Sequence, residues 1–488
     1  MQIIRFLIVA AALATLPMEA RGEMLGQVSS ESQFHQLQES FLGAILRSSP
    51  AFNEQYGAPA PGGGMMGFGA SMATGSSGGT AIRVIPSITL SETYDGNVFY
   101  APKIPGLKRE DYVTTAAPQL QVQRLGSLVG LNFGIGASAS HYAVNQGLSY
   151  VGFNTSTILD VTQLARHWVP GLKNLQVTES FSYSPMPPSF LSGDANISQA
   201  LSPDLSSISD QYVRGLQAFR VNTYTNMTGV SGVVPVSSSV DFRGAYTYSF
   251  IKFGTPFVPG SSGDFFPSTN HLATVGPTIQ ISAKDSINLN AMYQRTDYAQ
   301  ESYSAPGASL GWNRQWNPQF RSSILGGLQY AQVESSGGGV TATQSDLAYT
   351  SQVSLVYTSG PTIASLNYSA GVYPSYFVEA GPLLSNMVTL TVWHRLSSQL
   401  SFSASVNYSK NDPLKGQPVG TDLSFESISS SIGFSYLLNR NMALSLSESF
   451  GYFKGAGPGA FGSSGGSGIG DEFTRNAVTI SLTAFGLY

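Results

Sequence analysis

A nucleophile-elbow spacing, Gly307-Ala308-Ser309-Leu310-Gly311, is the first arrangement in this sequence that could do covalent chemistry. That chemistry needs a sharp strand-to-helix turn, with an acid and a histidine arriving from downstream. Here Ser309 falls inside an alternating, strand-like run. Gly62, Gly64 and Gly67 have the spacing of a dinucleotide fingerprint, yet no strand pattern precedes them and no helix pattern follows, so they read as linker. His35, His141, His167, His271 and His394 are too scattered to pair on one element as zinc ligands. None is followed two residues on by a serine that it could activate. The chain has no cysteine, which removes thiolate metal sites, disulfide frameworks, lipoprotein attachment and cysteine nucleophiles together. No catalytic residue, metal site or cofactor is assigned, and the expectation is a protein that is not an enzyme.

Three carboxylates form a recurrence that is harder to set aside. Ser91-Glu92-Thr93-Tyr94, Thr178-Glu179-Ser180-Phe181 and Ser447-Glu448-Ser449-Phe450 repeat one pattern, each Glu in phase with the oily side of its strand. A carboxylate facing lipid is costly, so it should pair, lie near a rim, or sit behind a bulge that turns it inward. Glu92, Glu179 and Glu448 could bind divalent ions bridging lipopolysaccharide, or lie at a subunit contact.

The elements that carry these residues are read from a period of two. In 399–410, Leu400, Phe402, Ala404, Val406 and Tyr408 share one face, while Ser401, Ser403, Ser405 and Asn407 share the other. The same alternation marks strands near 82–94, 112–123, 127–142, 150–165, 174–184, 212–224, 232–250, 271–283 and 286–298. It continues at 304–315, 320–333, 343–358, 361–375, 383–396, 399–410, 424–437, 440–453 and 473–488. That makes about eighteen (range 16–20), an even number as closed bacterial barrels require. Tight gaps at 124–126, 284–285, 316–319, 359–360, 397–398 and 438–439 alternate with long Gly/Pro/Ser-rich loops at 95–111, 185–211, 251–270, 411–423 and 454–472. Gaps 166–173 and 225–231 are longer than ideal for the short side. Tyr94, Tyr112, Tyr142, Tyr150, Tyr183, Tyr212, Tyr298, Tyr330 and Tyr452 fall at the long-loop ends, and Trp168, Trp316, Trp393, Tyr357 and Tyr436 near the opposite ends, as aromatic girdles would. The expected fold is all-β: a transmembrane antiparallel up-and-down β-barrel over 81–488.

Composition fits that reading. Charged residues make up 11% of the 488, well under the roughly 25% usual for soluble domains. With 24 Lys plus Arg against 28 Asp plus Glu, the net charge of -4 gives no footprint for nucleic acid. The first 22 residues read as a signal peptide, with basic Arg5, an apolar run from Phe6 to Pro17, and small Ala20 and Gly22 before the cleavage point. In 23–56, Phe34, Leu37, Phe41, Ile45 and Leu46 recur near helical spacing, which suggests a short amphipathic periplasmic helix. The stretch 57–80, rich in Gly, Met and Ser, reads as a flexible linker.

With about eighteen strands the bore should be wide enough for water and lined by the wet phase. The candidates are Gln119, Gln121, Asp160, Asp241, Arg243, Asn288, Asn290, Gln294, Asp346, Gln352 and Arg395. Their mixed signs argue against strong ion selectivity, and their amides suit a neutral or weakly charged glycan. The expected function is a passive pore or export conduit for polysaccharide or small hydrophilic solutes. The alternative is a structural or adhesive barrel, plugged by the helix around Phe34 to Leu46, whose outer loops bind partners.

Pro86-Ser87-Ile88-Thr89-Leu90-Ser91-Glu92-Thr93-Tyr94-Asp95-Gly96-Asn97-Val98-Phe99, followed by Asp111-Tyr112-Val113-Thr114-Thr115 and Ala117-Pro118, resembles the opening hairpin of the beta-barrel porin-2 type proteins of exopolysaccharide and PEP-CTERM systems. The resemblance covers this hairpin and implies a barrel in the outer membrane of a Gram-negative bacterium, possible polysaccharide-export partners and no catalytic residues. The last strand places Val478, Ile480, Leu482, Ala484, Gly486 and Tyr488 in one phase, ending on an aromatic carboxylate. This resembles the insertion signal of outer-membrane barrels and implies recognition by the barrel-assembly machinery, with lipopolysaccharide as surrounding lipid.

Overall fold

Branched or aromatic residues alternating with small polar ones suit a pleated surface that is dry on one side and wet on the other. Such surface makes up nearly all of the described residues. The computed structural model describes residues 81–486 except 100–102, 104–105, 107, 127, 185–220, 257–266, 299–300, 338–339, 374–382, 415–423, 440 and 457–471. The expected signal peptide, helix and linker, the loop at 185–211 and Tyr488 lie outside these residues.

The first nine strands are β1 (Ala81–Asp95), β2 (Asp111–Leu125), β3 (Gly130–Tyr142), β4 (Tyr150–Asp160), β5 (Asn174–Ser184), β6 (Val221–Pro235), β7 (Val240–Pro256), β8 (Ser268–Gln280) and β9 (Asp285–Tyr298). The second nine are β10 (Glu301–Gln315), β11 (Phe320–Gly337), β12 (Val340–Ser359), β13 (Thr362–Tyr373), β14 (Leu383–Arg395), β15 (Leu400–Pro413), β16 (Ser424–Asn439), β17 (Met442–Ala456) and β18 (Glu472–Phe485). Each is antiparallel to the next, and β18 pairs with β1 from Ser87↔Phe485 to Asp95↔Ala477. The result is a closed eighteen-strand up-and-down barrel, which leaves no sheet edge unpaired. At the closing seam, Thr89 and Thr483 share a hydroxyl hydrogen bond of 2.9 Å, as do Thr93 and Thr479.

Four of the short turns obey one local rule. In 236–239, 281–284, 316–319 and 396–399 the second residue is Ser237, Ser282, Asn317 or Ser397. In each, its side-chain oxygen accepts a hydrogen bond from the backbone N–H two residues on, at Ser239, Lys284, Gln319 and Gln399. A short polar side chain thereby satisfies a donor that the ladder leaves over.

Several strand ends shift by a few residues, and two connections on the turn side differ more from the sequence expectation. The expected gap at 225–231 lies inside β6, and the chain reverses at 236–239. Gly229, Gly232 and outward Asn226 and Thr228 had thinned the apolar stripe there, while exposed Ser237 to Ser239 imitated a wet face. The strand expected over 150–165 stops at Asp160, where its Oδ1 accepts from the Thr162 N–H at 2.9 Å and opens a single-turn helix α1 (Thr162–Ala165).

The apolar phase is the exposed one. Leu90, Leu310, Leu328, Leu347, Leu446 and Ile480 are all half exposed or more, while the opposite phase holds Ser309, Gln329, Ser405 and Ser409 in buried positions. The outer surface is therefore oily, the reverse of a barrel made for water on its outside.

Candidate functional site

Residues directly paired in an antiparallel ladder project to the same side, so the registers assign each candidate wall residue to a face. Gln119 and Gln121 pair with Gly136 and Gly134, Asp160 with Gly130, and Asp241 and Arg243 with Pro235 and Val233. Asn288 and Gln294 pair with Thr278 and Leu272, and Asn290 with Ser309. Asp346, Gln352 and Arg395 pair with Ala331, Leu325 and Ser401. All eleven share the inward phase, opposite to exposed Leu120, Phe242, Leu289 and Leu347.

Several are held by neighbours. Gln121 Nε2 donates to Asn132 Oδ1 at 3.1 Å, and Gln294 Nε2 donates to Asn270 Oδ1 at 3.1 Å, where Thr296 Oγ1 also donates at 2.7 Å. The Lys173 ammonium donates to both oxygens of Asp241, at 2.6 and 2.8 Å. Asp160 is engaged at the start of α1. A cavity of about 310 Å³ lies against this wall, lined by Asn132, Ser138, Asn154, Ser156, Ile158 and Ser182 among others. Not all of the bore is open. Towards the loop end, Ile251, Phe253, Tyr303, Ala305, Ala331, Ala348, Phe453 and Phe473 share the inward phase and are buried.

Charge inside the barrel is segregated along its axis. Among the described side chains of the inward phase, the turn end carries Arg83, Arg243, Arg321 and Arg395, joined by Lys173. These five cations face two carboxylates, Asp160 and Asp241, a formal excess of +3. The loop end carries Arg475 against Asp95, Asp111 and Asp346, a formal -2. Sequence reading noted the mixture of signs and missed this order. Arg83 and Arg321 lie in the wet phase of their strands and could have been found there.

At the loop end the barrel's seam is latched. Arg475 grips Asp95 with Nε at 2.9 Å and Nη2 at 2.6 Å, and both side chains are nearly fully buried. Asp95 Oδ1 also accepts from the Asn97 N–H at 2.9 Å, Asn97 Nδ2 donates to the Thr474 carbonyl at 3.1 Å, and the Gly96 N–H donates to the Asn476 carbonyl at 2.8 Å. Val98, Phe99 and the stacked Phe453–Phe473 pair are buried with them. Next to this latch, Asp111 accepts from the N–H groups of Tyr112, Val144 and Asn145 and from Asn145 Nδ2, at 2.7–2.9 Å. Burial alone would raise its pKa; the amide donors outweigh that and hold its carboxyl below the usual range. The residues that carry the hairpin resemblance, Asp95, Asn97, Val98, Phe99 and Asp111, are thus the buried ones, which sequence reading left without a role.

The three recurring carboxylates face outward in unbroken register, so no bulge turns them in. Glu92 lies next to the Tyr94 rim and accepts from Thr114 Oγ1 at 2.6 Å. Glu448 pairs with Ile432 and Val478, and Glu179 with Thr157 and Thr228. Val478, Ile480, Leu482 and Ala484 also share the outward phase.

The aromatic girdles are partly redrawn. Tyr94 and Tyr112 stand outside at 5.4 Å and Tyr183 stacks on Tyr224 at 4.6 Å, but Tyr142 and Trp393 are inward and buried, and Tyr150 shares the inward phase. At the turn end, Arg314 lies 4.5 Å over the Trp316 ring and pairs with Asp285 at 3.3 Å, and Trp312 Nε1 donates to the same carboxylate at 3.2 Å. Ser309 is buried mid-strand, between Asn290 and Gly327, with no turn near it.

No family profile and no curated protein matches the chain. Solved structures similar to it include Acinetobacter baumannii OccAB3, at 11% identity over 83% of this chain and 99% of that one with a TM-score of 0.41. Pseudomonas aeruginosa OprD is similar at 10% identity over 83% and 95% with a TM-score of 0.38, and Pseudomonas aeruginosa OccK2 (OpdF) at 10% over 82% and 98% with a TM-score of 0.41.

Proposed function

We propose that residues 81–488 cross the outer membrane of a Gram-negative cell as a pore for small hydrophilic solutes. The observation that carries this is the inverted dressing of the barrel, with Leu, Ile, Val and aromatic side chains exposed outside and amides, hydroxyls and charges inside. Closure satisfies every strand edge, which a bilayer demands of any sheet that crosses it. No helix among the described residues is long and apolar enough to cross a membrane. Residues 1–22 would direct export, and the outward stripe from Val478 to Ala484 would present the last strand to the barrel-assembly machinery. Lipopolysaccharide would meet the loop-end rim at Tyr94, Tyr112 and Glu92. The half-exposed wall along Gln119, Gln121, Asn154, Ser156 and Asn288 offers exchangeable hydrogen bonds to sugar-like solutes without a charge to trap them. Passage of polysaccharide is the finer form of this reading.

The buried inward side chains of the loop half favour a second reading, a barrel held shut with its outer loops free for partners. Single-channel recording in planar bilayers separates the two. Steps from the mature chain 23–488, unchanged when 23–80 are deleted, support the open pore. Steps that appear only after deletion support the plugged form, and no steps from either would remove the pore.

A further inference from the structure

The outward face of β4–β6 breaks the oily belt. Three ladder rows cross these strands: Phe153–Tyr183–Tyr224 nearest the loops, then Thr155–Phe181–Asn226, then Thr157–Glu179–Thr228, with Leu159–Val177–Val230 below. Glu179 is the central residue of the 11 in β5, about two side-chain repeats below Tyr183, which puts it within the roughly 25 Å apolar band of such barrels. It is exposed and, among the described residues, accepts no hydrogen bond. Elsewhere the corresponding outward positions include Leu310, Leu328, Leu366, Leu390 and Ile432, and the one other carboxylate at this depth among the described residues, Glu448, has apolar Ile432 and Val478 as its row neighbours rather than hydroxyl side chains.

We propose that this face is a contact between copies of this chain, with the two-fold axis between Thr157 and Glu179, so that Glu179 of each copy meets Thr157 of the other and the two Thr157 positions lie close together. The inference rests on the outer surface being lipid-facing. Lipid tails offer Thr157, Thr228 and Glu179 no hydrogen bonds, and Asn226 has only the one its Nδ2 donates to the Ser180 carbonyl at 3.3 Å, so a partner at the same depth must supply the rest. The patch holds hydroxyl and amide donors beside a carboxylate acceptor, so two copies related by a two-fold axis satisfy each other. Aromatic residues above and Leu159, Val177 and Val230 below seal it from lipid.

The chain has no cysteine, so one introduced thiol reports self-contact cleanly. Thr157→Cys in the full mature chain in native membranes should give a disulfide-linked dimer on oxidation, while Leu390→Cys, across the ring on β14, should not. Wild type in detergent should have more than one chain's mass by light scattering. The Thr157→Val/Glu179→Leu/Thr228→Val variant should be monomeric while keeping its heat-shifted gel band, which shows that it folds. A monomeric wild type, equal cross-linking at both sites, or association that EDTA abolishes along with bound lipopolysaccharide overturns the contact. Wild type monodisperse without detergent overturns instead the membrane reading beneath it.

Discussion

Asp95 and Arg475 lie 380 residues apart in sequence and meet in a buried, two-point ion pair at 2.6–3.1 Å across the seam where the first strand joins the last. Removing one partner of such a pair leaves a buried charge uncompensated, at a cost of about 3–5 kcal/mol. Arg475→Met or Asp95→Leu alone should therefore lower the temperature at which the folded gel band is lost, and the double replacement should recover much of it. If both single variants melt like wild type, the pair does not fasten the seam.

The axial order of charge predicts how ions pass. An excess of arginine at the turn-end mouth raises the local anion concentration over the cation concentration. Under a potassium chloride gradient, the reversal potential of the open channel should favour chloride. Replacing Arg83, Arg243, Arg321 and Arg395 together with Gln should move it towards cation preference. A reversal potential unmoved by that variant would mean that these guanidinium groups do not govern permeation.

Acid should loosen the loop end. Asp111 is the first residue of β2, at the loop end of the barrel, and burial would raise its carboxyl's pKa but amide donors hold it below the usual range. A carboxyl depressed on folding contributes stability above its unfolded pKa, about 3.9, and that contribution fades as pH falls through the lower folded value. Fluorescence-monitored unfolding should show stability falling below about pH 4, and Asp111→Asn should flatten that slope. Equal slopes for the two proteins would assign the acid response elsewhere.

Much of the barrel was legible because a period of two survives substitution: the strand count and most turns follow from phase alone. The failures are local. Position near a strand end does not say which face a side chain takes, and Tyr142 and Trp393 were placed in a girdle on position alone when both are inward. The eleven wall candidates were chosen by phase instead, and their registers put them on the inward side; whether they line a working pore is the proposal. Asp95–Arg475 was illegible because its meeting depends on which strands close the ring and in what register, information that no single strand carries. The Asp111 cage likewise needs Asn145 to return from the next loop.

Adjacent positions on β2 test the inside–outside assignment most directly. Leu120 is exposed on the oily face and Gln119, its neighbour on the same strand, is in the inward phase. An arginine on a lipid face costs about 2–4 kcal/mol at the bilayer midplane, whereas one in a polar, partly open bore should cost within about 0.5 kcal/mol. Leu120→Arg should depress refolding into lipid vesicles and the yield of heat-shifted protein, while Gln119→Arg folds as wild type and alters conductance. Both substitutions introduce the same side chain and charge at neighbouring positions of one strand, so the side of the wall dominates the difference between them. If Gln119→Arg is the damaging one, the oily phase faces inward and the barrel is not dressed for a bilayer.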